Sequence, residues 1–442
     1  MLLLILSIKY LSSISFTRFV LLLVAYILLG VLSGIATGLL PGLHANNMAM
    51  IVVGLSISLG IPPLYAAVYI FSCLITHTFF DFIPSTYIGV PDDATSLSVL
   101  PAHRMLLKGD GHLAVKLSAI GSLFAAMYFL LIFPAMFALL IYTPLPDYIE
   151  KFILLILISV VLYLFLLEWE KGGARNVLYA TLLFSLSGFL GYLALKTPYS
   201  TLCSSPFIPI SFGSLFPLLT GLFGTSTLLI STREVRELPK QNLREDYRLK
   251  KKDYIAMVKG SSSGALVGLL PGVSSGIATV IASGSEGTDE RYILTMGTVN
   301  TSNAFFNLLA LFTLGKARNG ALVQLQRITD IPKMSSYYTI SDIFAFMVLA
   351  GAIASVLSYF LVIILSRCIA KGISSTRFRE KYGKIMKYIL FGIFAFVFVF
   401  SGPFGLLLCV IATLLGILPP KLGVQRVHLM GCIILPVILY FI

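Results

Sequence analysis

Charge is what this sequence has least of. Only 12% of its 442 residues are Asp, Glu, Lys or Arg, against about 25% in a soluble domain. Hydrophobic residues make up 57%, and the mean hydropathy is +0.94. A water-soluble fold has too little interior to hide that much apolar surface, so composition points to a polytopic membrane protein whose solvent is the lipid bilayer. Ten-residue segments of alternating polarity are missing, which excludes an outer-membrane barrel. Cysteine is sparse and scattered: Cys73, Cys203, Cys368, Cys409 and Cys432, with no C-x-x-C. That excludes a disulfide framework or zinc site and leaves small hydrophobes. Also absent are H-E-x-x-H, G-x-S-x-G and G-x-x-x-x-G-K-[ST], so neither a hydrolase site nor an ATP-driven pump is expected, and no cofactor or metal. The start, MLLLILSIKY, has no basic leader and no small-residue cleavage site; a retained interfacial or leading helix is expected.

Acids are fewer than bases, and the net charge is +13. No nucleic-acid motif accompanies this excess. The bases lie in short loops between apolar segments, as the positive-inside rule requires. The stretches 232–254 and 371–387 are the most basic and are expected to face the cytoplasm. Trp169, the single tryptophan, stands in EWEK, a place for an interfacial anchor.

What the chain has in plenty is long apolar runs. A span needs about 20 such residues, and runs near 18–40, 62–80, 113–142, 149–168, 176–195, 207–230, 338–366, 386–413 and 424–442 qualify. Shorter or interrupted pieces lie near 46–60, 82–100, 255–270, 274–284 and 292–314. Pieces too short to cross mark re-entrant or broken helices. These flank a motif used twice. SGIATGLLPGLHANN runs from Ser33 to Asn47, and SGALVGLLPGVSSG from Ser263 to Gly276. Further on, HTFFDFIPSTYIG (77–89) aligns with NAFFNLLALFTLG (303–315), so that Phe79, Phe80, Asp81 and Gly89 match Phe305, Phe306, Asn307 and Gly315. The expected fold is an all-α polytopic membrane protein of two pseudo-symmetric halves, 1–231 and 255–442, joined by the basic linker 232–254. Duplication of this kind is common in secondary transporters. An odd number of crossings per half makes the repeat inverted.

The motif has a physical reading. An unpaired amide in hydrocarbon costs several kcal/mol, so a helix stops there only against protein or a wet cavity. Pro41 and Pro271 disturb their helices. Gly42 and Gly272 let the chain leave the axis. Polar residues follow: His44, Asn46 and Asn47 in the first half, Ser274, Ser275 and Thr279 in the second. A helix restarting there aims free N–H groups and its positive end at the break. Two such ends meeting near midplane make a cradle for a carboxylate. A single Pro-Gly kink is ordinary and G-x-x-x-G alone means packing; the doubled signature is what argues for function. His44 has three open readings: ligand, proton relay or cap. Asp81 is a candidate for a coupling ion, Na+ or H+, since acids at membrane depth usually face a cavity; its counterpart is neutral Asn307. Asp92 and Asp93 read as caps in PDDATS. GTVNTSNAFFN supplies Asn300, Thr301, Ser302, Asn303 and Asn307 as neutral donors and acceptors, with interhelical bonding as the competing role.

With these stretches in view, the chain resembles the TctA family, the large membrane subunit of tripartite tricarboxylate transporters, including its archaeal branch. The doubled GLLPGL and GLLPGV carry the resemblance, with IGVPDDATSLSVLPAHRMLLKGDGHLAVKLSAIGS (88–122) and the tail LGILPPKLGVQRVHLMGCIILPVIL (415–439). The chain departs from the family block at Gly89, at Asp92 and at Pro101-Ala102-His103. The resemblance implies a cation-coupled carboxylate carrier that works with a small membrane subunit and an extracytoplasmic binding protein. Substrate contacts are expected from Pro41, Gly42, His44, Asn46 and Asn47 on one side, and from Pro271, Gly272, Ser274, Ser275 and Asn303 on the other. Asp81 and Asn307 are expected at the coupling ion or proton. A homo-oligomer is compatible with all of this. LPGVSSGIATVIASG (270–284) also looks like the motif of polyisoprenyl-phosphate translocases, so an anionic lipid carrier is the alternative cargo. A non-transporting scaffold explains the hydrophobicity but not the doubled breaks.

Overall fold

In lipid a backbone satisfies its own hydrogen bonds only as helix or closed barrel, and in this chain, seen in a computed structural model, helices joined by turns and loops make up the described residues, with no strand among them. Those are 16–40, 45–89, 99–196, 199–205, 207, 213–234, 238–243, 247–270, 273–284, 288–328 and 333–442; the apolar leading segment lies outside them. The first half comprises α1 (Phe16–Leu39), α2 (Ala45–Leu59), α3 (Pro63–Phe80), α4 (Phe82–Tyr87), α5 (Val99–Leu107), α6 (Gly111–Tyr142), α7 (Leu145–Lys151), α8 (Ile153–Leu195), α9 (Tyr199–Leu202), α10 (Leu215–Leu219) and α11 (Ser226–Glu234). The second comprises α12 (Lys251–Leu269), α13 (Ser275–Ser283), α14 (Asp289–Leu314), α15 (Gly320–Leu325), α16 (Asp342–Ile373), α17 (Thr376–Gly416), α18 (Leu418–Leu422) and α19 (Gly431–Phe441). Among the described residues, six helical stretches are long and apolar enough to cross a membrane: Phe16–Leu39, Pro63–Tyr87, Gly111–Tyr142, Ile153–Leu195, Asp342–Ile373 and Gly383–Leu422. This is a multi-pass membrane protein.

Two of these helices are too long for one crossing. At 1.5 Å per residue, the 43 residues of α8 extend about 65 Å, twice the hydrocarbon thickness of about 30 Å. The helix breaks at Gly172 and Gly173, the latter at φ 60°. The rings of Phe165 and Phe184 then stand 5.8 Å apart, where a straight helix separates them by about 28 Å. The arms therefore fold back on one another, in keeping with the separate runs 149–168 and 176–195. Buried Glu168 ties the bend to the chain's end: it accepts from the Gln425 amide at 2.8 Å and shares a 3.2 Å hydrogen bond with His428. Helix α17 breaks likewise at Gly402 (φ 68°), followed by Pro403.

Two expected spans turn out differently, and two short pieces lie inside longer helices. The runs 255–270 and 292–314 belong to helices of 19 and 26 residues, neither of them among the six apolar stretches long enough to cross. Polar groups interrupt the second: Thr295, Thr298, Thr301 and Ser302 are all buried. The runs 207–230 and 424–442, read as full spans, are interrupted. The first holds α10, a π turn at Thr220–Thr225 and the start of α11. The second holds a 3-10 turn at Arg426–Met430 before the 11-residue α19.

Small residues set the central packing. A β-carbon at Gly34 would lie 2.5 Å from Thr76 Cβ, and one at Gly264 2.5 Å from the Val299 carbonyl oxygen. Gly30 and Gly38 on α1 meet Ser72 and Phe80 of α3; Gly260 and Gly268 on α12 meet Thr298 and Phe306 of α14. In each case residue numbers rise together, so α1 runs parallel to α3 and α12 parallel to α14. The next long helices pack crosswise. Helix α6 approaches α14 through Gly121 against the Leu294 carbonyl and Gly297 against that of Ser118. Helix α16 places Gly351 against Phe71 and Phe305. At the centre, Phe129 stacks on Phe305 at 4.9 Å and meets Phe306 edge-on at 5.1 Å.

Candidate functional site

The second motif folds as a hairpin. Helix α12 ends at Leu269, and Leu270 is extended (φ −103°, ψ 133°). The helix restarts after Ser274, whose hydroxyl caps it by accepting from the Ile277 amide at 3.4 Å. Ser263 Oγ then donates to the Ala278 carbonyl at 3.0 Å, so α13 returns along α12. Helix α14 runs beside the break. Asn303 Nδ2 donates to Ser275 Oγ at 3.0 Å, and Asn307 Nδ2 donates to Asn303 Oδ1 at 2.8 Å. Asn307 Oδ1 is buried without a partner.

The first motif supplies Asn46 at the start of α2, whose Oδ1 accepts from the Ala321 amide at 2.8 Å. Asp81 sits at the joint between α3 and α4, 2% exposed. Its Oδ2 accepts from Asn300 Nδ2 at 2.9 Å, a bond from the other half of the chain. Nearby, Thr78 and Thr301 share a 2.9 Å hydroxyl contact, and His77 Nδ1 lies 3.1 Å from Thr37 Oγ1. Phe71 meets Phe305, Thr78 meets Thr301 and Asp81 meets Asn300. One number rises as the other falls, so α3 and α14 cross antiparallel.

These groups surround a cavity of about 190 Å³. Of the residues singled out from the sequence, Asn46, Asp81, Ser274, Ser275, Asn303 and Asn307 all reach its wall. Pro41, Gly42, His44, Pro271 and Gly272 lie outside the described residues, as do Asp92 and Asp93; Asn47 is described only as a backbone position within α2. His77, Thr78 and Asn300 also line the cavity.

Arg318 was not foreseen. It lines the cavity from the loop between α14 and α15, and its Nε is buried without a hydrogen-bond partner. Gly315, left-handed at φ 71°, ends α14 and turns the chain into that loop. The neighbouring Lys316 pairs with Glu150 at 2.5 Å, and that hydrogen bond holds the Glu150 carboxyl below its usual range. Asn319 caps α15 through a 2.8 Å bond from the Ala321 amide, the same amide that serves Asn46. Among the described residues the wall thus offers side-chain amides, a guanidinium suited to bidentate carboxylate contact and one carboxylate, Asp81, suited to a cation or proton.

Across residues 24–431 the sequence matches the model of a family described as "Tripartite tricarboxylate transporter TctA family". It is also 28% identical over 433 residues to an uncharacterized protein of Methanocaldococcus jannaschii, covering 94% of this chain and 98% of that one. No solved structure matches.

Proposed function

This chain belongs to the tripartite tricarboxylate transporter TctA family, and from that premise we propose that it is a secondary active carrier of a small carboxylate or similar organic anion, coupled to a cation. One observation carries the reading: polar groups that follow both Pro-Gly motifs reach a single cavity, where they meet Arg318 and Asp81.

The cavity bounds the cargo. A volume of about 190 Å³ equals the liquid share of about six water molecules and falls below the roughly 300–1,000 Å³ typical of drug-sized ligands. A compact anion of a few carboxylate groups suits it; an isoprenoid chain does not, so a lipid-linked cargo would place only its head group here. Charge balance suggests how coupling works. Among the described lining residues, Arg318 is offset by Asp81. A cation or proton on Asp81 removes the offset and leaves a net positive site for the anion. Each ligand then raises the other's affinity, and by linkage the effect is reciprocal.

The two halves read as an inverted repeat. Gly34 and Gly38 pack on α3 as Gly264 and Gly268 pack on α14. Gly89 and Gly315, at corresponding places, are both left-handed, at φ 74° and 71°. The corresponding helices α3 and α14 nevertheless cross antiparallel. In this reading α12–α13 is a re-entrant hairpin, and rocking of the halves about the cavity alternates access. The family's tripartite description supplies the partner proposal: a small membrane subunit and an extracytoplasmic binding protein.

The test is uptake of labelled di- and tricarboxylates into proteoliposomes under an imposed Na+ or proton gradient, run beside a flipping assay for a polyprenyl phosphate. Gradient-dependent carboxylate uptake supports the carrier. Flipping without carboxylate uptake overturns it in favour of the lipid cargo.

A further inference from the structure

A second cavity, of about 180 Å³, lies at the end of the α12–α13 hairpin remote from the break. Its wall carries Lys252 and Lys259 on α12, Arg291 on α14 and Ser283 at the end of α13. Lys252 and Lys259 are seven residues apart, two turns of one helix face. Neither forms an ion pair among the described residues, and both are exposed. Arg291 is held in place by Asp253, Nε to Oδ1 at 3.3 Å. That carboxylate is fully buried and already accepts from Tyr247 Oη at 3.1 Å and from the Lys250 amide at 2.9 Å, so it leaves both lysine charges uncompensated. The Ser283 hydroxyl is buried without a hydrogen-bond partner. Three cations and a free hydroxyl around a hollow are the chemistry that receives a phosphate group.

The surroundings favour a phosphate attached to lipid. The cavity opens where α12 leaves the basic linker, at the expected cytoplasmic interface. Ile255 forms part of its wall and is 46% exposed; Val258 and Leu266 continue an exposed apolar strip along the same helix. An acyl chain lies along such a strip while the head group stays between the lysines, whose stems reach the interface. We propose that this cavity binds the head group of an anionic phospholipid on the cytoplasmic face. The site would hold the lipid against α12, α13 and α14 together, so it bears on the hairpin that carries Ser274 and Ser275. The inference goes beyond the carrier reading and does not depend on it, because lipid retention is measured without transport.

The test is native mass spectrometry of the whole protein released from mixed phosphatidylglycerol–phosphatidylcholine nanodiscs. The protein should retain phosphatidylglycerol in preference to phosphatidylcholine. A Lys252→Gln/Lys259→Gln variant that stays monodisperse should lose that preference by about five-fold per lysine, about 25-fold for the pair. A Lys252→Arg/Lys259→Arg variant should keep it. Equal retention of both lipids, or an unchanged preference in the glutamine variant, overturns the proposal. So does displacement of the lipid by inorganic phosphate as readily as by a short-chain phosphatidylglycerol, since the cavity would then be a site for the free ion.

Discussion

At the scale of single residues the proposed carrier divides recognition from coupling. Arg318 and Asp81 line one cavity, and different tasks are proposed for them. A hydrogen bond to a charged group contributes about 1.5–3 kcal/mol, which converts to roughly 10- to 100-fold in affinity. Arg318→Gln is therefore expected to raise the KM for carboxylate uptake by about that range with coupling intact. Arg318→Lys should recover only part of the loss, since an ammonium cannot make the forked contact. Asp81→Asn preserves the size of the side chain and an acceptor for Asn300 but removes the charge. Substrate exchange should survive while net uptake ceases to follow the imposed cation gradient. Uptake that tracks the gradient as before would place coupling elsewhere. The sequence makes Asp81 conspicuous because an acid inside an apolar run is costly. Arg318 is less visible, since a base just past a helix end reads as an ordinary loop charge. A signal was nonetheless there: Arg318 stands as far beyond Gly315 as Asp92 stands beyond Gly89. Carrying the internal alignment a few residues further pairs the two.

At the scale of elements, the packing rests on glycine-lined contacts that let α1 reach α3 and α12 reach α14. A methyl group at Gly34 or Gly264 would sit 2.5 Å from its neighbour's atoms, so the helix pair must separate. Gly34→Ala and Gly264→Ala should each destabilise by about 1–3 kcal/mol, read as a lower Tm in detergent. Gly54→Ala is the control: nothing lies within 4 Å of its added carbon, and a helical glycine replaced by alanine gains roughly 0.5–1 kcal/mol. If all three variants melt alike, close approach is not what these glycines provide. This level also shows where reading by hydropathy fails. Spans facing lipid, such as α6 and α16, are legible because the bilayer demands apolar length. Helix α14 is enclosed by protein, so it carries buried serines, threonines and asparagines, and its apolar run reads shorter than the helix. The bend at Gly172-Gly173 was legible as a gap between the runs 149–168 and 176–195; the bend at Gly402-Pro403 was not, because the run 386–413 stays apolar straight through it. The crosswise packing of α6 on α14 and of α16 on α3 was not, because it joins segments that share no local pattern.

At the scale of the whole molecule the question is from which side the cavity fills. Helix α6 begins at Gly111, whose amide donates to Gln241 of the basic linker at 3.1 Å. Its 32 residues extend about 48 Å, carrying the chain to the opposite end of the molecule. Glu150 lies just beyond that end and pairs with Lys316, so the loop bearing Arg318 and Asn319 lies far from the linker. The positive-inside rule puts the linker in the cytoplasm, and the loop then faces the extracytoplasmic side. Asn319→Cys, made in a Cys368→Ser background because Cys368 is the exposed native thiol among the described residues, should react with a membrane-impermeant maleimide added outside. Substrate together with its coupling cation should slow that reaction by favouring the state closed to the outside, whereas either ligand alone should protect weakly. Labelling only from the linker side would reverse the assigned orientation. Equal protection by substrate with and without the cation would show that the two do not bind cooperatively, and would remove the charge-balance basis for coupling.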